Sequence, residues 1–121
     1  MNRSDLEERL IDFSVLIIKI IEELPKTRAA SHFSGQLVRS ATSCALNYGE
    51  AQAGESRKDF IHKLKIVHKE LRETYVGLRI LNKTGIFCQT IDLEKAIRET
   101  NELISIFTKS IVTAERKLLK S

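Results

Sequence analysis

The sequence predicts an all-α protein: a single domain over residues 1–121 that forms an antiparallel up-and-down four-helix bundle. Apolar residues recur at intervals of three and four in four separate segments, which is typical of helices that bury one face. Only one proline and five glycines interrupt the 121 residues, so long helices are favoured. The connections between segments are short, and consecutive helices are therefore expected to be antiparallel neighbours.

The first predicted helix runs from about Asp5 to Leu24. Ser4 and Glu7 form a candidate capping box at its start, and Pro25 ends it. The second predicted helix runs from about His32 to Ala53, where Gly54 stops it. The apolar positions of these two helices are Leu6, Leu10, Phe13, Ile17, Ile20 and Leu24, and then Phe33, Leu37, Ala41, Cys44, Tyr48 and Ala51.

The third predicted helix is capped by Ser56 with Asp59 at the box position, and it ends near Thr84, before Gly85. The fourth starts near Thr90 or Asp92. Their apolar stripes are Phe60, Leu64, Val67, Leu71, Thr74, Leu78 and Leu81, and then Leu93, Ile97, Thr100, Ile104, Phe107, Ile111, Ala114 and Leu118. A period of 3.5 kept over this length predicts coiled-coil-like packing at shallow crossing angles.

Composition excludes several classes of protein. The two cysteines, Cys44 in a helix and Cys88 in a predicted loop, do not make a disulfide framework, so a reducing cytoplasmic location is expected. The most apolar segment, residues 13–21, has seven apolar residues in nine and contains Lys19. It is much shorter than the roughly 18 residues needed to span a bilayer, so no membrane association is expected.

Motifs for catalysis are absent from the sequence. It contains no phosphate-binding loop, dinucleotide fingerprint or hydrolase nucleophile motif. Asp59 and His62 form one Asp-x-x-His, but a di-iron bundle needs two such pairs with matching glutamates. Glu70 and Glu73 could form an acid–base dyad, although their cationic neighbours favour structural carboxylates. We therefore expect no enzyme activity, no metal, no cofactor and no small-molecule substrate.

The first helix carries more apolar residues than its own stripe requires. Ile11, Val15, Leu16 and Ile18 lie outside the stripe. A helix on the surface of a monomer should be polar on its outer face. This surplus favours a subunit interface in a homo-oligomer, and the alternative is a helix packed deeply by its three partners.

A polar stripe follows the second helix beside its apolar one: Gln36, Ser40, Ser43, Asn47 and Glu50, with Arg39 at the edge. If the turn is centred near residues 54 and 55, Arg39 lies level with Glu70, and Glu73 is one turn further. Asn47 then lies level with His62, and Glu50 with residues 57–59. We predict an Arg39–Glu70/Glu73 ion-pair cluster, buried or at an interface, that sets register; the alternative is a solvated face.

Charge is distributed unequally along the chain. Residues 4–24 carry two positive and six negative side chains, net −4, whereas residues 56–83 carry eight positive and three negative, net +5. Clustered cations can contact phosphates without reading base sequence. The candidate nucleic-acid-binding residues are Arg57, Lys58, Lys65, Lys69, Arg72, Lys109, Arg116 and Lys117. The alternative is a solvated basic face with no ligand.

Residues 36–81 resemble the bacterial four-helix bundle proteins encoded in intervening sequences of 23S ribosomal RNA genes. The matching positions are Gln36, Leu37, Arg39, Ser40, Ala41, Asn47, Glu50, Phe60, Leu64, Glu70 and Glu73. The chain departs from the pattern at Tyr48 and Gly49, where an aliphatic residue and alanine are usual. The resemblance implies a ring, typically a homopentamer. It also implies an RNA-linked role, through genomic context and similarity to pentameric accessory proteins of diversity-generating retroelements.

Together these observations predict a non-enzymatic oligomeric bundle that associates with RNA through the basic side of its third and fourth helices. The alternative function is a structural or protein–protein interaction module with no nucleic-acid role. The two differ in charge placement, because a continuous basic belt favours RNA and lysines paired with carboxylates favour the alternative.

Overall fold

The computed structural model describes residues 1–54, 56–87 and 90–120. It contains four helices: α1 (Arg3–Glu22), α2 (Arg28–Gln52), α3 (Arg57–Thr84) and α4 (Thr90–Lys120). Each helix packs on two others, in the cyclic order α1, α2, α3, α4. The predicted all-α four-helix bundle is therefore confirmed, and no strand occurs among the residues described.

The start of α1 differs from the prediction. The capping box is formed by Asn2 and Asp5, because the Asn2 side chain accepts a hydrogen bond from the Asp5 amide at 2.8 Å and the Asp5 carboxylate accepts one from the Asn2 amide. Ser4 and Glu7 already lie inside the helix. The helix ends at Glu22, before Leu24, since a residue that precedes a proline disfavours helical geometry.

The second helix begins four residues earlier than predicted. Thr27 is the cap, and its hydroxyl accepts a hydrogen bond from the Ala30 amide at 3.2 Å. The third helix has the predicted cap, Ser56 bonded to the Asp59 amide at 3.1 Å, and the predicted end at Gly85, where φ is +69°. Cys88, expected in a loop, and Glu55, expected in the turn, lie outside the described residues.

The core consists of the predicted apolar stripes with a shift on α4 and differences near two helix starts, where Ala30 and Ile61 are buried and the predicted Phe33 and Phe60 are half-buried. Ala96 and Leu103 are fully buried there, whereas the predicted Ile97, Ile104 and Ile111 are only half-buried. The inward face of α4 is therefore centred on 93, 96, 100, 103 and 107. The sequence pattern did not reveal the shift because isoleucines flank this line on one side.

Helices α2 and α3 approach each other closely along one line of contact, which we call the α2–α3 seam. Ser40 and Thr74, both buried, share a hydrogen bond of 2.7 Å across it. A Cβ atom added at Gly77 would lie 3.0 Å from Leu37 Cδ2. The seam therefore has no spare volume at this level. None of the described helices is long and apolar enough to cross a bilayer.

Candidate nucleic-acid interface and subunit surface

The α2–α3 seam carries the predicted ion-pair cluster on its outer edge. Arg39 Nη1 lies 3.1 Å from Glu70 Oε2, and Arg39 Nη2 lies 2.6 Å from Glu73 Oε2. The Glu70 side chain is only 11% exposed, whereas that of Arg39 is 56% exposed. Burial raises the pKa of Glu70, and the hydrogen bond from Arg39 lowers the pKa of Glu73. Arg39 therefore stabilises a partly desolvated carboxylate from the solvent side.

Asn47 and Glu50 contact a different residue from those predicted. Lys63 Nζ lies 2.5 Å from Glu50 Oε2 and donates to Asn47 Oδ1 at 3.4 Å. His62, predicted opposite Asn47, is exposed, and no ion pair links Glu50 to residues 57–59. One residue along a helix rotates the side chain by about 100°, so Lys63 faces α2 where His62 does not.

The departure from the family pattern at Tyr48 and Gly49 also has a structural explanation. The Tyr48 ring is buried and packs edge-on against Phe107, with ring centroids 5.5 Å apart. At Gly49 an added Cβ would lie 3.3 Å from Glu7 Oε1. The aromatic residue thus fills the core between α2 and α4, and glycine allows a close approach of α1.

The surplus apolar residues of α1 divide into two groups. Ile11, Val15 and Ile18 are 41%, 44% and 38% exposed and form what we call the aliphatic patch. Leu16 is half-buried and packs against the core, so it does not belong to this surface. The adjacent helix α2 carries only three charged residues, Arg28, Arg39 and Glu50, in 25 positions. This side of the bundle is therefore both aliphatic and poor in charge.

The eight basic candidates fall into groups that the structure places differently. Lys58, Lys65, Lys69 and Arg72 are exposed on α3 at spacings of seven, four and three, which places them on one helix face. Arg79 and Lys83 continue this line at the same spacing and are also exposed. We call these six residues the basic stripe. Within the described chain only Lys65 has a carboxylate within 4.0 Å, that of Glu115 at 3.2 Å.

The other four basic candidates lie elsewhere. Arg57, Lys109 and Lys117 line a pocket at the end of the bundle where α1 begins, together with Arg3. Arg116 is exposed on α4 but does not line that pocket. The predicted basic residues of the third and fourth helices thus lie mainly in a stripe on α3 and in a cationic pocket at one end of the bundle.

Sequence reasoning missed a second ion-pair cluster, between α1 and α4. Arg9 donates to Glu99 through Nε at 2.8 Å and through Nη2 at 2.7 Å, and Nη2 also contacts Glu102 Oε2 at 2.6 Å. This arrangement repeats that of Arg39, one arginine against two glutamates three residues apart. Glu99 and Glu102, three residues apart on α4, could have indicated such a cluster. Their position relative to Arg9 could not be predicted, because no short turn joins α1 to α4.

The described residues contain no group of three or more histidine, cysteine, aspartate or glutamate side chains that could hold a metal ion. Cys44 is buried in the core, and burial raises the pKa of its thiol. Its sulfur contacts the Ser40 carbonyl oxygen at 3.3 Å. Cys44 is therefore a packed core residue and not an accessible nucleophile.

The sequence and the fold match known proteins. The family model described as 23S rRNA-intervening sequence protein matches residues 4–109. The chain belongs to this family. A crystal structure of a family relative, a protein of unknown function from the S23 ribosomal protein family of Bacteroides thetaiotaomicron, aligns with a TM-score of 0.82 and 29% sequence identity. The alignment covers 92% of this chain and 98% of that chain.

No curated protein sequence matches the chain. The family description links these intervening sequence proteins to 23S ribosomal RNA genes, and the function of the relative from Bacteroides is unknown. Neither description indicates catalysis.

Proposed function

We propose that this intervening sequence protein is a non-enzymatic, self-assembling bundle that binds the backbone of RNA along the basic stripe. The observation that carries the proposal is the lack of carboxylate partners: among the described residues, five of the six stripe cations have no carboxylate within 4.0 Å. The stripe runs from Lys58 to Lys83, about 38 Å at 1.5 Å per residue. A line of exposed cations this long attracts a polyanion more strongly than scattered ion pairs would.

The stripe favours contacts to phosphates over reading of bases. Its residues are lysines and arginines on a single helix. Tyr75 lies beside the stripe but is half-buried under Arg79, whose guanidinium carbon is 5.4 Å from the ring centroid. Stacking platforms for unpaired bases are therefore scarce along this surface. We expect binding that tolerates many sequences and depends strongly on salt.

Fluorescence anisotropy with a single-stranded RNA over a range of salt concentrations tests this proposal. Each phosphate contact contributes a slope of about −0.7 to a plot of log affinity against log salt. The double variant Lys69→Gln/Arg72→Gln should weaken binding and reduce the slope by about 1.4. The control Lys19→Gln/Lys26→Gln removes two exposed cations far from the stripe and should leave both unchanged. An affinity that is insensitive to salt would contradict phosphate binding.

Self-assembly is proposed through the aliphatic patch of Ile11, Val15 and Ile18. Burying the exposed two-fifths of each such residue would contribute roughly 0.6–1.2 kcal/mol, and a second copy presents the same charge-poor surface. Five copies is the number that the resemblance to the family implies. Light scattering coupled to size exclusion tests it: Val15→Glu should dissociate the assembly, and Val112→Glu, at a site of similar exposure on α4, should not. A wild-type protein that is monomeric at high concentration would overturn this part.

A second candidate function is a protein-interaction module that does not bind nucleic acid. The exposed Leu46, Val76 and Ile80 favour it, because they add apolar surface on α2 and α3 beyond the aliphatic patch. The anisotropy experiment separates the two, since an interaction module would give no salt-dependent RNA binding.

A further inference from the structure

A pocket of about 590 Å³ opens at the end of the bundle where α1 and α3 begin and α2 ends. Its volume is within the range of small-molecule sites. Both helix starts and the end of α2 lie beside it, so the helix dipoles partly cancel there. The side chains must therefore decide what the pocket can hold.

Four cations line the pocket without carboxylate partners. They are Arg3, Arg57, Lys109 and Lys117, and none has an acidic side chain within 4.0 Å in the described part of the chain. The described lining residues include no aspartate or glutamate. Four cations that line one pocket without counterions favour an anionic ligand.

Tyr48 supplies an independent indication of a ligand. It is 4% exposed and lines the pocket, and its hydroxyl makes no hydrogen bond to any described residue. No fully buried side-chain oxygen or nitrogen among those residues lacks a partner, so the hydroxyl oxygen has access to solvent, and the pocket is the open space that Tyr48 lines. Burial raises the pKa of Tyr48, with Arg3 lowering it and Glu7 raising it further. The phenol therefore stays protonated and can donate to an anionic oxygen.

The pocket is apolar at its floor. Leu6, Ala51 and Ala114 are buried lining residues, and Phe60 is half-buried beneath the Arg3 guanidinium, whose carbon lies 5.1 Å from the ring centroid. An aromatic ring and a stacked arginine provide a surface for a planar ligand group. The pocket thus combines an apolar surface with a cluster of cations.

We propose that this pocket binds a phosphate monoester attached to a nucleoside, with the phosphate held by the cations and the Tyr48 hydroxyl and the base stacked on the Arg3 guanidinium that covers Phe60. A monoester carries nearly twice the charge of an internal phosphodiester near pH 7, which suits four unpaired cations. Two sources share this chemistry, the phosphorylated end of an RNA strand and a free nucleotide. Only the first source depends on the proposed RNA-binding function.

The test compares three probes by anisotropy and calorimetry: an RNA of about ten nucleotides with a 5′-phosphate, the same RNA with a 5′-hydroxyl, and adenosine 5′-monophosphate. We expect a roughly tenfold preference for the phosphorylated RNA, the effect of about one added charge-assisted hydrogen bond. Arg57→Gln/Lys117→Gln should abolish the preference. Tyr48→Phe should reduce it severalfold while leaving the thermal unfolding temperature nearly unchanged.

The stripe variant Lys69→Gln/Arg72→Gln is the matched control, because it should weaken both RNAs equally and keep their ratio. Binding of the free monophosphate without any RNA binding would support the pocket and overturn the proposed RNA function. RNA binding with no preference for the phosphate, together with no binding of the monophosphate, would overturn the pocket and leave the stripe supported. A preference that survives Arg57→Gln/Lys117→Gln would also overturn the pocket.

Discussion

The α2–α3 seam and the contact between α1 and α4, the α1–α4 seam, lie on opposite sides of the bundle and are built differently. Each has one arginine against two glutamates three residues apart. The α2–α3 seam is closely packed, with Gly77 against Leu37 and Ser40 bonded to Thr74. The α1–α4 seam leaves a cavity of about 330 Å³ beside Leu16 and Glu99, and the cationic pocket, which all four helices line, lies at the end of both seams.

The difference follows from chain connectivity. A short turn joins α2 to α3, so their register is fixed locally and small side chains can be matched across the seam. Helices α1 and α4 lie at opposite ends of the chain, so no short turn fixes their register, and their contact is less close. A looser seam costs packing energy but leaves volume where a ligand can bind. The closely packed seam thus sets the register, and the looser one leaves a cavity along its length.

The two seams should differ most in how much a larger side chain lowers the free energy of unfolding. Gly77→Leu places three further carbons beyond a Cβ that would already lie 3.0 Å from Leu37, so we expect a loss of about 1–3 kcal/mol in the free energy of unfolding. Ser110→Leu points into the pocket lining and should change it by less than about 0.5 kcal/mol. Urea denaturation measures both.

Gly35 serves as the control for replacing a helical glycine without a steric clash, since an added Cβ there meets nothing within 4 Å. Gly35→Ala should stabilise the protein by about 0.5–1 kcal/mol through helix propensity. If Gly77→Leu were as well tolerated as Ser110→Leu, the two seams would not differ in packing.

Removing the arginine of the looser seam should have an intermediate effect. Arg9 makes a two-point contact with Glu99, and both side chains are about three-quarters buried. Arg9→Met should lower the free energy of unfolding by about 1 kcal/mol, more than an exposed pair usually contributes. Arg9→Lys should recover only part of this, because an ammonium cannot make the same planar contact. Arg98→Met, an exposed site on α4, is the control and should have little effect.

Removing Arg39, the arginine of the α2–α3 seam, should have a smaller effect, which should appear as a pH dependence of the free energy of unfolding. Arg39→Met leaves Glu70 without a cation and removes the cause that lowers the pKa of Glu73. Glu70 then has a pKa in the folded state that lies further above its unfolded value of about 4.3. The stability associated with this shift is present below about pH 4.3 and is lost as pH rises from there through the folded-state pKa. Relative to wild type, the variant should therefore become progressively less stable as pH rises above about 4.3.

The double variant Arg39→Met/Glu70→Gln identifies the group responsible. It lacks the buried carboxylate, so most of the pH-dependent loss should disappear when the unfolding free energy is measured over the same pH range. A loss that persists in the double variant would show that Glu70 does not carry it.

Much of the site near the α2–α3 turn could be predicted from the sequence. The contact of Arg39 with Glu70 and Glu73 followed from counting residues outward from the turn, and the structure contains it. The same count assigned Asn47 to His62 where the structure has Lys63, because a one-residue error rotates a side chain to another face. Counting residues outward from a turn therefore predicts the height of a contact along the helices more reliably than the residue that makes it.

The sequence by itself determined the four helices, most of the buried stripes and the unequal charge of α1 and α3, because apolar periodicity and capping residues act within one helix. Only the tertiary structure decided the Arg9–Glu99 contact, the division of the basic residues between stripe and pocket, and the position of the Tyr48 hydroxyl. These features join residues from helices that are distant in the chain. Their register depends on how all four helices pack at once, which no local pattern specifies.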